Sequence, residues 1–504
     1  MPESLGSGGG FFDYDNDGDL DIYLVNGAWH GKLKNRPALK DRLFRQEVNG
    51  SFVDVTESSG LGDTGYGMGV AIGDIENDGD LDVYVTNYGQ DAMYRNNGEG
   101  TFTNITQQAG INDTAWGASA VFFDYDRDGF LDLYVSNYVS YDSAIVCTDK
   151  AGRPDYCGPK GFSGLPDILY HNDGDGTFTD VSERAGIITE MYRGLGVVSA
   201  DFNKDSYPDI YVANDGEPNL LWINRGDGSF QDQAVILGAA VNATGQPEAS
   251  MGVTAGDADG DQDLDLFMTH LRDEKNTFYR NHGTIRFQDE SWAAGLAGIS
   301  LPYTGFGTGF FDYDHDGDLD LAVVNGRVTR GPLLTSHQPH RYWDDYAEPN
   351  FLFQNDGEGH FQPASDQAGA FASTVENSRG LAFGDVDNDG DIDLLVTNEG
   401  GPARLYRNDG ESKGHWLLIR ALDPRLKRDA IGAEITVVYD GKRQMRLVSP
   451  GYSYLCSNDP RVHFGLGSAT YVDQILVRWP DGSQEQFAAL RADQIITLKK
   501  GTGK

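Results

Sequence analysis

Carboxylates recur along this chain in one fixed spacing, acid-x-acid-x-Asp-x-x-x-Asp, seven times over. The first copy supplies Asp13, Asp15, Asp17 and Asp21, the second Asp74, Glu76, Asp78 and Asp82, and the third Asp124, Asp126, Asp128 and Asp132. The fourth supplies Asp201, Asn203, Asp205 and Asp209, and the fifth Asp257, Asp259, Asp261 and Asp265. Asp312, Asp314, Asp316 and Asp320 form the sixth, and Asp385, Asp387, Asp389 and Asp393 the seventh. Positions 1, 3, 5 and 9 thus bring several carboxylates to one point, where unpaired charges repel. A hard dication removes that repulsion, and Ca²⁺ accepts about six to eight oxygen ligands. The side chains at 1, 3, 5 and 9, with the backbone carbonyl at 7, are therefore expected to hold about seven Ca²⁺ ions. Glycine at position 6 suits a sharp turn at positive φ. The fourth loop is expected to bind most weakly, because it has Asn203 for an acid, Ser206 for glycine and Pro208 beside its last ligand. The fifth has Gln262 for glycine but keeps all four acids.

Other chemistries fit less well. An EF-hand needs Glu at position 12 between two helices. Here position 12 is Leu24, Val85, Val135, Val212, Met268, Val323 and Val396, and the flanks are strand-like. Asp/Asn/Gly hairpin turns would account for one copy, but not for seven in register. General acid/base pairs need one carboxyl protonated, whereas metal ligands are ionised. There is no His-Glu-x-x-His, no Gly-x-Ser-x-Gly and no P-loop. His315 stands at a non-ligand position inside the sixth loop and is expected to face solvent. No catalytic residue is assigned and no enzyme is expected.

The elements that position these loops repeat with them. A stretch of small and apolar residues precedes each loop, as at 67–72 and 305–311. A β-rich run follows, as at 22–26, 83–87 and 210–214. Then comes a hairpin phrase of aromatic, Asn, Gly and Phe at 94–102, which returns at 170–178, 222–230, 279–287, 353–361 and more loosely at 44–52. Four strands per unit, seven units, predict an all-β fold, a seven-bladed β-propeller with Ca-binding loops. A solenoid competes, but a ring needs no capping repeats. A chain of 504 residues exceeds one ordinary core; we divide it into a propeller over 1–410 and a small β-rich domain over 411–504.

Charge narrows the partners. The 78 acids against 39 Lys and Arg give a net charge of −39, which disfavours nucleic acid and anionic membrane surfaces. No apolar run reaches the ~18 residues of a membrane span, and no signal peptide is read at the N-terminus. The chain reads as starting in mid-pattern, so a trimmed or incomplete N-terminus is expected.

The loops and the Phe/Gly phrases before them resemble the FG-GAP (VCBS) repeats of integrin-α-like propellers over roughly residues 6–410. Residues 414–420, 430–433, 462–467 and 477–482 resemble the ASPIC/UnbV domain. That pairing, with Tyr156, Cys157, Gly158 and Pro159, is similar to bacterial relatives of cartilage acidic protein. The resemblance implies a secreted or cell-surface Ca²⁺-binding propeller with a small β-rich appendage, and it carries over no catalytic residues. Two departures stand out. The strand phrase expected before the first loop is missing, and the seventh unit stops at Gly410 without its Phe strand.

Three insertions, at about 27–43, 139–168 and 326–350, leave from equivalent points and should share one face. The first is basic, with Lys32, Lys34, Arg36, Lys40 and Arg42. The second holds Cys147 and Cys157, read as a short disulfide loop of an extracytoplasmic protein, against the alternative of two unrelated thiols. The third carries His337, His340, Arg341, Tyr342, Trp343 and Tyr346. Cys456 is left over and expected half-buried. The insertions either recognise a protein or glycan partner, or pack on each other over the central channel. The expected function is adhesion or protein interaction outside the cytoplasm. One alternative is self-assembly into a surface fibre, a neighbour supplying the strand missing at the N-terminus. The other is an enzyme acting on a glycan or small molecule at the insertion face.

Overall fold

Each acidic loop joins two antiparallel strands of one sheet. The computed structural model describes residues 2–28, 39–149, 151–283, 285–335, 341–410 and 414–504. In the second sheet, Gly67–Gly73 runs into the loop, Asp82–Asn87 leaves it, and Ala92–Asn96 and Phe102–Asn104 complete the sheet. The register is Ile72 opposite Val83 opposite Tyr94 opposite Asn104. Among the described residues seven such sheets follow in order, six of four strands and the last of three: Ser378–Gly384, Asp393–Asn398 and Arg404–Tyr406. The seventh sheet has no fourth strand among the described residues. The first sheet, by contrast, is complete. Gly9–Phe12 is its opening strand, paired with Asp21–Leu24, so no strand is lacking before the first loop. The short Gly-Gly-Phe-Phe phrase is sufficient because it needs only four residues to pair.

The strand before each loop is innermost. Those of the second, third, fourth, sixth and seventh sheets are buried along seven residues each, and small residues let neighbouring strands converge. Gly9–Phe12 lies against both Gly67–Gly73 and Ser378–Gly384, the first strands of the second and last sheets. Between sheets, the aromatic at loop position 2 packs on the Phe of the next sheet's outer strand. Tyr14 meets Phe102 at 6.2 Å, Tyr125 meets Phe230 at 5.9 Å, and Phe202 meets Phe287 at 6.0 Å.

A polar latch repeats beside it. The side-chain amide closing the third strand donates to the position 2 carbonyl of the preceding sheet: Asn96 to Tyr14 (2.8 Å), Asn172 to Ile75 (2.9 Å), Asn224 to Tyr125 (2.8 Å), Asn355 to Ala258 (2.7 Å) and Asn408 to Tyr313 (3.1 Å). Gln46 makes the same bond to Val386, from the first sheet to the seventh.

At the other end of the second strand a carboxylate closes the turn. Asp41, Asp91 and Asp167 accept from the backbone N–H of Asn26, Asn87 and Asn137 and from the hydroxyls of Tyr23, Tyr84 and Tyr134. Asn219, Asn276 and Asn350 accept the corresponding N–H in the fourth, fifth and sixth sheets.

The C-terminal domain is two four-stranded sheets and a two-stranded ribbon, Tyr471–Val472 with Leu490–Arg491, around a core that includes Leu417, Ile419, Val437, Phe464, Ile475 and Trp479. His415–Asp423 pairs antiparallel with Val462–Gly467 and parallel with Gln494–Lys499. It is no appendage. Between Lys442–Leu447 and Val462–Gly467 the chain leaves the domain and enters the space between the innermost strands. Ser453 exchanges backbone hydrogen bonds with Val253 (2.8 and 3.0 Å), Val70 donates to Leu455 O (3.2 Å), and Phe11 donates to Ser457 O (3.2 Å). Ser119 Oγ accepts from Leu455 N and Asn458 Oδ1 accepts from Phe383 N. A Cβ on Gly8 would stand 1.6 Å from the Leu455 carbonyl oxygen, so only glycine admits this plug. Tyr454 Oη donates to Leu5 O, where the N-terminal segment meets the plug. Cys456 lies within the plug and is buried rather than half-buried. No helix of the described residues is long and apolar enough to cross a membrane.

Candidate metal-binding loops

Every loop folds around its own carboxylates. Position 1 accepts from the backbone N–H of position 6: Gly18 to Asp13, Gly79 to Asp74, Gly129 to Asp124, Ser206 to Asp201, Gly317 to Asp312 and Gly390 to Asp385, at 2.8–3.0 Å. Position 5 accepts from position 7 in all seven loops, as Asp19 N to Asp17 at 3.0 Å and Phe130 N to Asp128 at 2.8 Å. The backbone is left-handed at position 6, including Ser206 (φ 75°) and Gln262 (φ 71°) where glycine is replaced, and also at position 4, as at Asn16 (φ 59°) and His315 (φ 62°).

Position 9 works differently from the other three. One oxygen of Asp21, Asp82, Asp132, Asp209, Asp265, Asp320 and Asp393 accepts from the position 2 N–H. The other accepts from the third-strand Gln46, Asn96, Asn172, Asn224, Asn281, Asn355 or Asn408 N–H at 2.8–2.9 Å. This aspartate braces the loop against its own sheet, and its remaining lone pairs are what it could offer a metal.

Positions 1, 3 and 5 converge. In the first, third, fifth and sixth loops one oxygen from each of the three lies within 4.8 Å of the other two. Oδ1 of Asp15, Asp124, Asp257, Asp312 and Asp387 is buried without a hydrogen-bond partner. Leaving a buried carboxylate oxygen unpaired is costly, and a hard cation is the group that suits five of them. Burial also pushes the carboxyls of Asp74, Asp124 and Asp385 up to about 6 and those of Asp257 and Asp312 up to about 7. The residues therefore fit a calcium-like ion in these loops.

The other oxygen of position 3 faces a partner on the third strand. Glu76 meets Arg95 (3.6 Å), Asp126 meets His171 (3.5 Å), Asp259 meets Arg280 (3.4 Å) and Asp314 accepts from Gln354 (2.8 Å); Asp387 pairs with Arg407. The bond that His171 Nδ1 donates to the Asp132 carboxylate lifts His171 to about 9. In the fourth unit the third-strand residue is Ile223, matched to the neutral Asn203. The residue before the closing Asn of each hairpin phrase carries this signal in the sequence.

A second set of residues escaped the sequence reading. Arginines of the C-terminal domain sit on the loops. Arg428 donates to Asn77 Oδ1 (2.8 Å) and Gly129 O (3.0 Å), Arg446 to Gly317 O (3.2 Å), and Arg461 to Asn388 Oδ1 (2.6 Å) and Asp385 O (2.8 Å). Arg478 reaches Asp201. His315 does not face solvent: it is 2% exposed, with Nε2 2.9 Å from Asp391 and Nδ1 3.1 Å from Gly414 O, because the start of the C-terminal domain covers it.

The second and third insertions leave from the far ends of Asp132–Asn137 and Asp320–Asn325, opposite the acidic loops. Cys147 and Cys157 form a disulfide. The second and third insertions pack together: Tyr156 stacks on Trp343 at 6.0 Å, and Asp155 accepts from Tyr346 Oη at 2.8 Å. Arg330 lies over the rings of Tyr342 and Tyr346. Tyr342 is half exposed, Lys40 pairs with Glu57 and Arg42 with Asp54, and Arg341 N donates to Asp344. Lys32, Lys34, Arg36, His337 and His340 lie outside the described residues.

Two family models match the chain. Residues 13–85, 74–135, 149–212, 201–268, 257–323 and 342–396 match the FG-GAP-like repeat, and residues 423–504 match ASPIC and UnbV. The chain is 26% identical over 326 residues to cartilage acidic protein 1 of Xenopus tropicalis, covering 63% of this chain and 38% of that protein. It is 26% identical over 313 residues to the Homo sapiens protein of the same name, covering 60% and 43%. The matched region therefore spans less than half of either relative. Among solved structures, a lectin of Agrocybe aegerita that recognises non-reducing terminal N-acetylglucosamine aligns with 15% identity and a TM-score of 0.40, over 74% of this chain and 89% of that one.

Proposed function

Because the chain belongs to the FG-GAP-like repeat family and carries an ASPIC and UnbV domain, we propose that it is a non-enzymatic, calcium-dependent interaction protein working outside the cytoplasm. In this reading the seven sheets are the blades of one closed propeller and the acidic loops hold Ca²⁺. The observation that carries it is the set of buried carboxylate oxygens left without a partner in five loops. Positions 1, 3, 5 and 9 and the position 7 carbonyl would hold the ion, with position 9 also bracing the loop against its own sheet. Bound Ca²⁺ supplies charge neutralisation there and no chemistry on a substrate. The Cys147–Cys157 disulfide supports an oxidising compartment.

The partner face is the packed second and third insertions. Tyr342, Leu333 and Val146 are exposed there on a scaffold fixed by the disulfide and by the Tyr156–Trp343 stack, and such loops carry recognition of a protein or glycan. Titration calorimetry of metal-stripped protein with CaCl₂ tests the metal part. We expect saturable binding that weakens in Asp124→Asn, and a trace without binding heat at several temperatures contradicts it.

The seventh sheet supports a second reading. Its outermost strand, Arg404–Tyr406, has no fourth strand beside it among the described residues, so a second copy could add one. Sizing in Ca²⁺ decides: a concentration-dependent assembly favours this reading, and a monomer at all concentrations refutes it.

A further inference from the structure

Arg428, Arg446 and Arg461 meet the loops through backbone carbonyls or a position 4 amide. Arg478 instead takes a position 1 carboxylate: its Nη1 lies 2.6 Å from Asp201 Oδ2. The same Nη1 is 3.3 Å from the hydroxyl of Ser206, the residue that replaces glycine in this loop. Both oxygens of Asp201 are further engaged, Oδ2 by Ser206 N (2.8 Å) and Oδ1 by Asp205 N (3.0 Å). Asn203 turns inward on the loop itself, its amide donating to Asp205 Oδ2 and its oxygen accepting from Asp205 N, both at 2.9 Å.

We propose that in the fourth loop the Arg478 guanidinium stands where the other loops hold a metal ion. On this basis the chain binds six divalent cations rather than seven, and the C-terminal domain stays fixed to the fourth loop without metal. The inference rests on the calcium reading above and narrows it.

The charges agree. This is the loop with one carboxylate fewer, and its third-strand neighbour is Ile223 where other units place Arg, His or Gln. A single positive charge on a planar fork suits a site of lower charge than a dication does. Arg478 is held in place by Glu434, whose Oε2 accepts from Nε at 3.1 Å and whose Oε1 pairs with Nη2. The turn that follows closes over the loop, so that a Cβ on Gly482 would meet Ser206 Oγ at 3.0 Å. A cation bound to Asp201 would share its oxygen with the guanidinium, and like charges at that separation repel.

Native mass spectrometry of the full chain, loaded with Ca²⁺ and freed of excess by gel filtration, counts the ions. Six per chain is expected, and seven overturns the proposal. A paired comparison locates the difference. Asp201→Asn/Asp205→Asn should bind as many ions as the unaltered protein, whereas Asp124→Asn/Asp128→Asn should bind one fewer. Loss of one ion in the fourth-loop variant overturns the proposal even if the total is six. If the unaltered protein binds no Ca²⁺ at all, the calcium reading itself fails, a result distinct from a count of seven. The count on unaltered protein stands whether or not either variant folds.

Discussion

The side-chain amide of Gln46 donates to the backbone carbonyl of Val386 at 2.9 Å, joining two residues 340 positions apart. Its second bond goes to Leu20 O at 3.1 Å, so one amide ties the first sheet's loop to the last sheet's loop. The five Asn latches that join other neighbours use the same geometry, which makes the Gln46 bond the equivalent seam between the two ends of the repeat.

Removing that seam should be costly. In Gln46→Ala two buried carbonyls lose their donor, a loss of about 1–3 kcal/mol. Asn355→Ala, which breaks an internal latch to Ala258 and Leu319, should cost a similar amount. Denaturant midpoints of the two variants check this. A Gln46 variant as stable as the parent contradicts the seam.

Asp167 offers a pH test independent of metal. Burial raises its carboxyl to about 7, against hydrogen bonds from Tyr134 and Asn137 that pull it down. The folded state therefore holds this proton more tightly than the unfolded chain, whose Asp titrates near ~4. The stability it contributes is full below about pH 4 and is lost as the pH rises through about 7. Asparagine already fills the equivalent place at Asn219, Asn276 and Asn350. Asp167→Asn should accordingly stay within about 1 kcal/mol of the parent at pH 5 and gain on it at pH 8. Urea titrations at both values check it, and a gap that does not grow with pH refutes it.

Leu455 tests the plug. Its backbone is left-handed (φ 60°), and its side chain is buried with Met68, Trp116, Tyr138, Phe306 and Tyr454. Leu455→Ala should cost about 2–5 kcal/mol. Because this residue belongs to the C-terminal domain by sequence and to the repeat core by packing, calorimetry should show one transition for both parts. Two separated transitions in the parent protein contradict that.

The loops were legible because their physics is local. Acids spaced within nine residues, a turn residue such as Gly18 or Gly79 and β-rich runs on both sides are visible in most single copies, and repetition carries the reading over the departures at Asn203, Ser206 and Gln262. The sheets followed from the same phrases. What escaped depends on residues distant in the chain: Arg428 meets Asn77 across 351 positions, and the plug 449–459 carries no pattern that distinguishes it from a surface loop. A non-ligand position inside the sixth loop points His315 to solvent, yet Gly414 covers it from 99 positions away. The opening strand Gly9–Phe12 was missed for a different reason, since four residues are too few to show alternation.

The central claim is that metal ions hold this fold together through the acidic loops, and melting with and without chelator tests it most directly. Each ion bound only to the native state contributes about 2.7 kcal/mol when its concentration is 100 times its dissociation constant. Several sites acting together predict a melting temperature in CaCl₂ well above that in EDTA, restored when Ca²⁺ is added back. An identical melting temperature in the two buffers would contradict the account.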